Sequence, residues 1–339
     1  MELSLLHVSD AQQSQDLLTG LGCYPVGVDI MAAKALFLVI RVNGLLPQAA
    51  NILKQEMLSK GGEVAIPAGA LHMEAGRVDC LVMGTLEQYA RLVDILIQQP
   101  FELSDLARRL RLFAGLAATR PDRSWFSRGA GAAVGGLVDC DLRPPGVDDH
   151  VVNAVALAWN LLEQRSDFLV VVGSNVSMVK DVAQQLVGTA ACPVAAWVPN
   201  SPSISLAPAM PVVIQQGYGL LSTDGPVLAM CADEGSADFI GQLVLAGVPA
   251  KRLFLTANLR YGPSDNVSAH PIPAGLPRLD AVLVRQQAIA MLPVSTRASV
   301  LTRLVDRGVS VFITNAPRHV RELLDALSRD PWNSSPIRT

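Results

Sequence analysis

The stretch Val134-Gly135-Gly136-Leu137-Val138-Asp139, followed by a periodic Val151 to Gln164 and then by Asp167-Phe168-Leu169-Val170-Val171-Val172-Gly173, decides the fold. Both short runs are built from small and β-branched apolar residues without polar alternation, so each reads as a strand buried on both faces. The segment between them is long enough to be a crossover helix, and strand, helix, strand at this spacing is a parallel βαβ unit. Toward the C-terminus the unit recurs. Strands are predicted at Pro193 to Trp197, Pro211 to Gln215, Val227 to Cys231, Arg252 to Thr256, Ala288 to Leu292 and Val309 to Thr314. Helices are predicted at Ser177 to Leu186, Ala237 to Ala246, Thr296 to Arg307 and Pro317 to Leu327. Eight strands from Val134 onward in roughly 200 residues sit at the short end for a closed (β/α)8 barrel. Asn200 to Asp224 is too short for two crossover helices. The fold class is therefore α/β, a trimmed TIM-barrel-like domain, with an open doubly wound sheet as the alternative.

Toward the N-terminus the segment Thr119 to Gly129 mixes Pro, Gly, Ser and charge, which places a domain boundary there and divides the chain into 1–118 and 130–330. The first part reads as a small α/β domain. Ala35 to Val42 is strand-like, and Asp79 to Gly84 is a second, buried strand. In the helix Gln48 to Lys60, Ala49, Ile52, Leu53 and Met57 make one apolar stripe while Lys54, Gln55 and Glu56 look outward. Gly61-Gly62 stops it. Helices at Leu86 to Gln98 and Leu103 to Ala114 follow.

Composition narrows the function. Half of the 339 residues are apolar, 17% are charged and the net charge is −3, which leaves no basic footprint for nucleic acid. No run approaches the ~18 apolar residues of a membrane span, and the start Met1-Glu2-Leu3-Ser4 has no leader character. The cysteines Cys23, Cys80, Cys140, Cys192 and Cys231 are scattered without a C-x-x-C, as expected of buried thiols in a reducing, cytoplasmic setting. A surface so rich in Ala, Val and Leu implies a buried oligomer interface, expected as a dimer through the barrel helices.

No G-x-G-x-x-G after a strand, Walker loop, H-E-x-x-H or G-x-S-x-G elbow is present. The candidates sit instead where a barrel places its chemistry, after the C-terminal ends of strands. Asp139 and Asp141 could share a magnesium through oxygen ligands. Asp148 and Asp149 read more simply as caps of the helix starting near Val151. Ser295, Thr296 and Arg297 gather hydroxyls, backbone N–H groups and a guanidinium at a helix N-terminus, where anions bind; Ser295 alone is equally well a cap. Asn175, Asp233, Asn258 and Arg260 stand in polar strand-end loops of the same kind.

Several words in order carry a resemblance: Gly27 to Lys34, Ala49 to Ser59 with Gly61-Gly62-Glu63, Met83-Gly84-Thr85 and Gln99-Pro100-Phe101. Over this third of the chain the sequence resembles the N-terminal extension of some bacterial dihydropteroate synthases, and the rest resembles the synthase barrel in outline. Val134 to Asp139 and Asp167 to Gly173 look like its first two strands, and Ser295-Thr296-Arg297-Ala298-Ser299 like its Ser-Arg-Lys turn. The resemblance implies transfer of a pterin carbinol from pyrophosphate to para-aminobenzoate, with magnesium on the leaving group and a buried acid gripping the pterin. The polar set departs from that pattern. The first-strand Asn word reads Asp139-Cys140-Asp141-Leu142-Arg143-Pro144, and Ile-Asp-Thr reads Ala195-Ala196-Trp197-Val198. Asp-Pro-Gly reads Thr256-Ala257-Asn258-Leu259, the turn lysine is Ala298, and the closing Arg-Val-His reads Ile313-Thr314-Asn315. The expected function is a catalytically degenerate pterin- or phosphate-binding protein, or a partner subunit of an active synthase. The alternative is an active pterin-dependent transferase.

Overall fold

A computed structural model describes residues 1, 3–71, 76–126, 131–142, 150–190, 192–197, 212–215, 225–231, 236–245, 247–258, 276–284 and 294–329. The chain divides into two compact units, Met1–Arg120 and Pro121–Thr339.

The first unit opens with two helices beyond those expected from the sequence, α1 (Ala11–Gly20) and α2 (Pro25–Ala35). Asp10 caps α1 by accepting from Gln13 N at 2.8 Å, and Gln13 answers by accepting from Ser9 N at 2.9 Å. Then follow β1 (Phe37–Leu45), α3 (Pro47–Ser59), β2 (Glu63–Ala65), the single turn α4 (Ala68–Leu71), β3 (Val78–Thr85), α5 (Leu86–Leu96) and α6 (Leu103–Ala118). The three strands form an antiparallel sheet in the order β1-β3-β2. Leu53 and Met57 of α3, Leu92 and Leu96 of α5 and Leu103 and Leu110 of α6 build its core. Gly61 ends α3 as expected: it takes φ 81°, its N–H reaches Leu58 O at 3.0 Å and Gly62 N–H reaches Met57 O at 3.1 Å. That is a full Schellman stop.

The second unit is an eight-stranded parallel barrel. Its elements are β4 (Ala133–Asp139), α7 (His150–Glu163), β5 (Phe168–Val172), α8 (Val176–Thr189), β6 (Val194–Trp197), β7 (Val212–Gln215), β8 (Val227–Cys231), α9 (Ser236–Leu245), β9 (Leu253–Asn258), β10 (Ala281–Leu283), α10 (Val294–Asp306), β11 (Val311–Thr314) and α11 (Pro317–Arg329). The strands pair in chain order and the ring closes where β11 meets β4. The open sheet is thereby excluded. Carrying the register once round from Asp139 returns to β4 eight residues earlier, the stagger of (β/α)8 barrels.

One strand departs from expectation. The seventh stave of the barrel is Ala281–Leu283, whereas the expected Ala288 to Leu292 lies outside the described residues. Arg278 and Asp280 flank the true strand and disguise it. In the fold their charges meet: Arg278 Nε donates to both oxygens of Asp280, at 3.0 and 2.8 Å, and Asp280 Oδ2 also accepts from Leu255 N at 2.9 Å.

The interior is filled in layers by alternate strands. At the N-terminal end Phe168 and Phe254 close around Phe126, with ring centroids 4.7 and 5.0 Å away. Phe126 belongs to the segment whose composition marks a boundary; it is the barrel's bottom plug.

Candidate functional site

The C-terminal mouth is set by the strand ends. The register puts Val172, Asn258 and Asn315 in one layer at the rim and Leu137, Trp197, Met230 and Leu283 in the next layer inward. The members of the inner layer pack into one cluster. Its described members are apolar, and the one polar atom they carry, Nε1 of Trp197, is buried and has no hydrogen-bond partner among the described residues. An indole N–H is only a donor, and leaving one unpaired costs about 1–3 kcal/mol.

Asp139 is half-buried at the end of β4, and its Oδ1 accepts from Asp141 N at 3.0 Å. Asp141 is exposed and spends both carboxylate oxygens on Ser174, accepting from its N at 2.8 Å and its Oγ at 3.0 Å. It ties the loop after β4 to the loop after β5. Asn175 is the N-cap of α8, accepting from Ser177 N at 2.9 Å and Met178 N at 3.2 Å; this structural role accounts for its side chain. Asn258 is half-buried and Asn315 exposed. Arg297 lies in the first turn of α10, half-buried and engaged. Ser295 and Thr296 lie in the first described turn of α10, which runs Val294–Asp306. Asp233, Arg260, Asp148 and Asp149 lie outside the described residues.

The buried thiols beside the mouth are held neutral. Burial, aided by the charges of Asp139 and Asp141, pushes Cys140 up to about 12. Burial likewise pushes Cys231 up to about 12. Neither can serve as a thiolate nucleophile near neutral pH. Among the described residues no three His, Cys, Asp or Glu side chains come together to hold a metal ion.

The fold defines a closed eight-stranded parallel α/β barrel whose inner layer below the mouth is apolar among the described residues. No family model matches the chain. A probable bifunctional folylpolyglutamate synthase/dihydropteroate synthase of Halobacterium salinarum is 29% identical over 171 residues, which is 50% of this chain and 21% of that one. This chain thus spans about a fifth of the length of the curated relative it matches. Among solved structures, dihydropteroate synthase of Xanthomonas albilineans in complex with 7,8-dihydropteroate is 16% identical with a TM-score of 0.42, covering 64% of this chain and 100% of that one. The Coxiella burnetii enzyme in complex with pteroic acid is 14% identical with a TM-score of 0.40, covering 61% and 94%. Over those 171 residues the chain is similar to a protein described as carrying dihydropteroate synthase.

A pterin and a magnesium-bound pyrophosphate, the groups which that resemblance implies, fit the described residues poorly. The amino-pyrimidine edge of a pterin presents donors, and Trp197 would offer it another donor from the inner layer. Asp141, the more exposed partner of the candidate magnesium pair, is already committed to Ser174. Of the residues that the sequence singles out, Asp139, Asn258 and Asn315 stand at the rim. Trp197 enters the sequence argument only as a departure from the family pattern, although its place two residues on from inward-facing Ala195 fixes it as lining.

Proposed function

We propose that this chain is a dihydropteroate-synthase-like protein of folate or pterin metabolism that works as a binding or partner subunit and not as the synthase. The observation that supports this reading is Trp197, whose donor-only ring stands in the buried layer where a pterin transferase needs an acceptor. Val172, Met230 and Leu283 around it supply no proton-transfer group. Among the described residues, Asp139, Asn258 and Asn315 at the rim keep acceptor oxygens that can take the donor edge of a pterin or a similar small molecule at the mouth, outside the inner layer that fits it poorly. A second reading, an active divergent pterin-dependent transferase, draws on the same three residues.

Complementation separates the two. A strain deleted for its dihydropteroate synthase and expressing this chain should fail to grow without folate end products, while titration calorimetry with a pterin or a synthase from the same cell should show binding. Growth that is lost again on Asn258→Ala would overturn the subunit reading. Failure to bind both probes would overturn it as well.

A further inference from the structure

The N-terminal unit carries an apolar surface that its own described residues leave open. Its centre is α2, a helix with apolar residues on every side, and such helices are normally covered. Here only Val28 and Ala32 are buried. Tyr24 at its cap is 88% exposed, Val26 73% and Ile30 55%. Leu21 before it and Phe37 after it are 81% and 59% exposed. Together these side chains present on the order of 600 Å² of apolar surface, the size of the largest patch on an ordinary monomer.

The charges on the same helix indicate what covers it. Asp29 and Lys34 are both exposed on α2, and the salt bridge from Lys34 to Glu87 is loose at 4.0 Å. One acid and one base five positions apart on an otherwise apolar face leave it neutral overall, which suits neither a basic nor an acidic partner. They complement each other in one arrangement: two antiparallel copies of α2 related by a two-fold axis. Asp29 of each then faces Lys34 of the other, and Ile30 lies against Ala33. Each contact occurs twice, as an isologous interface requires.

We propose that α2 pairs with α2 of a second copy of this chain, through an apolar seam flanked by reciprocal Asp29–Lys34 ion pairs. The seam lies in the N-terminal unit and is independent of whatever the barrel binds. Sedimentation velocity or light scattering of the full chain over a concentration series should show a dimer. Ile30→Lys should weaken it at least tenfold. Asp29→Lys alone should also weaken it, by setting two lysines against each other, and Asp29→Lys combined with Lys34→Asp should restore it, because the reversed pairs complement again. Far-UV circular dichroism of each variant checks that the helices persist. A monomer at every concentration overturns the proposal. So does a dimer indifferent to Ile30→Lys, which would place the contact on another face, or a double reversal that fails to recover association.

Discussion

Gly135 shows how far one side chain can be dictated by its neighbour across the barrel. A Cβ there would lie 2.3 Å from Cε2 and Cζ of Phe168, and Phe168 cannot retreat because Phe126 stacks against it at 4.7 Å. Gly135→Ala should therefore overpack the barrel floor and cost about 1–3 kcal/mol. Gly131→Ala, where nothing lies within 4 Å of the added atom, should be neutral. Urea unfolding of the two variants checks this; equal midpoints would show that the aromatic plug is not tightly packed. From sequence, Gly135 is indistinguishable from any small residue in a buried strand. The need for it arises only once residues 33 positions apart are brought into register. The rim asparagines are the opposite case: Asn258 and Asn315 stand at the ends of apolar runs, and that position in the sequence is enough to put them at the mouth.

At the scale of elements, legibility follows composition. β5 and β8 fall at the residues expected, because an uninterrupted apolar run leaves no other choice. β10 does not, because its entrance is marked by charges that in sequence resemble a loop, and only the fold shows that they neutralise each other. The helices α1 and α2 are hidden for a related reason: α1 buries a serine and no large apolar residue, and α2 has no polar face to give it a period. The Arg278–Asp280 pair offers a test at this scale. Its side chains are 10% and 4% exposed, and Arg278 Nη2 also donates to Ala250 O at 3.1 Å. Arg278→Met takes away the guanidinium beside buried Asp280 and should cost about 3–5 kcal/mol. Arg278→Met with Asp280→Asn removes the buried charge and keeps an acceptor for Leu255 N, so it should recover part of that loss. A double-mutant cycle by denaturant titration checks it; simple additivity would mean that the pair does not brace the strand.

For the whole molecule, the same burial that keeps its thiols inert sets a limit on alkaline stability. Cys140 and Cys231 are pushed to about 12, and Cys80 and Cys192 to about 11, in each case chiefly by burial. Tyr89 is also raised by burial, and its Oη donates to Val82 O at 2.6 Å. These groups lie in both units, so neither escapes the effect. In the unfolded chain a thiol loses its proton near pH 8.5 to 9, whereas the folded chain retains it to about pH 11 or 12. Between those limits the native state binds more protons than the unfolded state, so stability must fall as pH rises. For Cys231 the slope approaches about 1.4 kcal/mol per pH unit. The urea midpoint should be nearly flat from pH 6 to 8 and decline steadily from pH 9 to 11. Alanine has no proton to lose, so Cys140→Ala with Cys231→Ala should make that decline shallower even if it lowers stability at pH 7. An unchanged slope in the double variant would mean that these two thiols ionise in the folded protein, and hence that water reaches the outer, helix-facing side of the barrel strands.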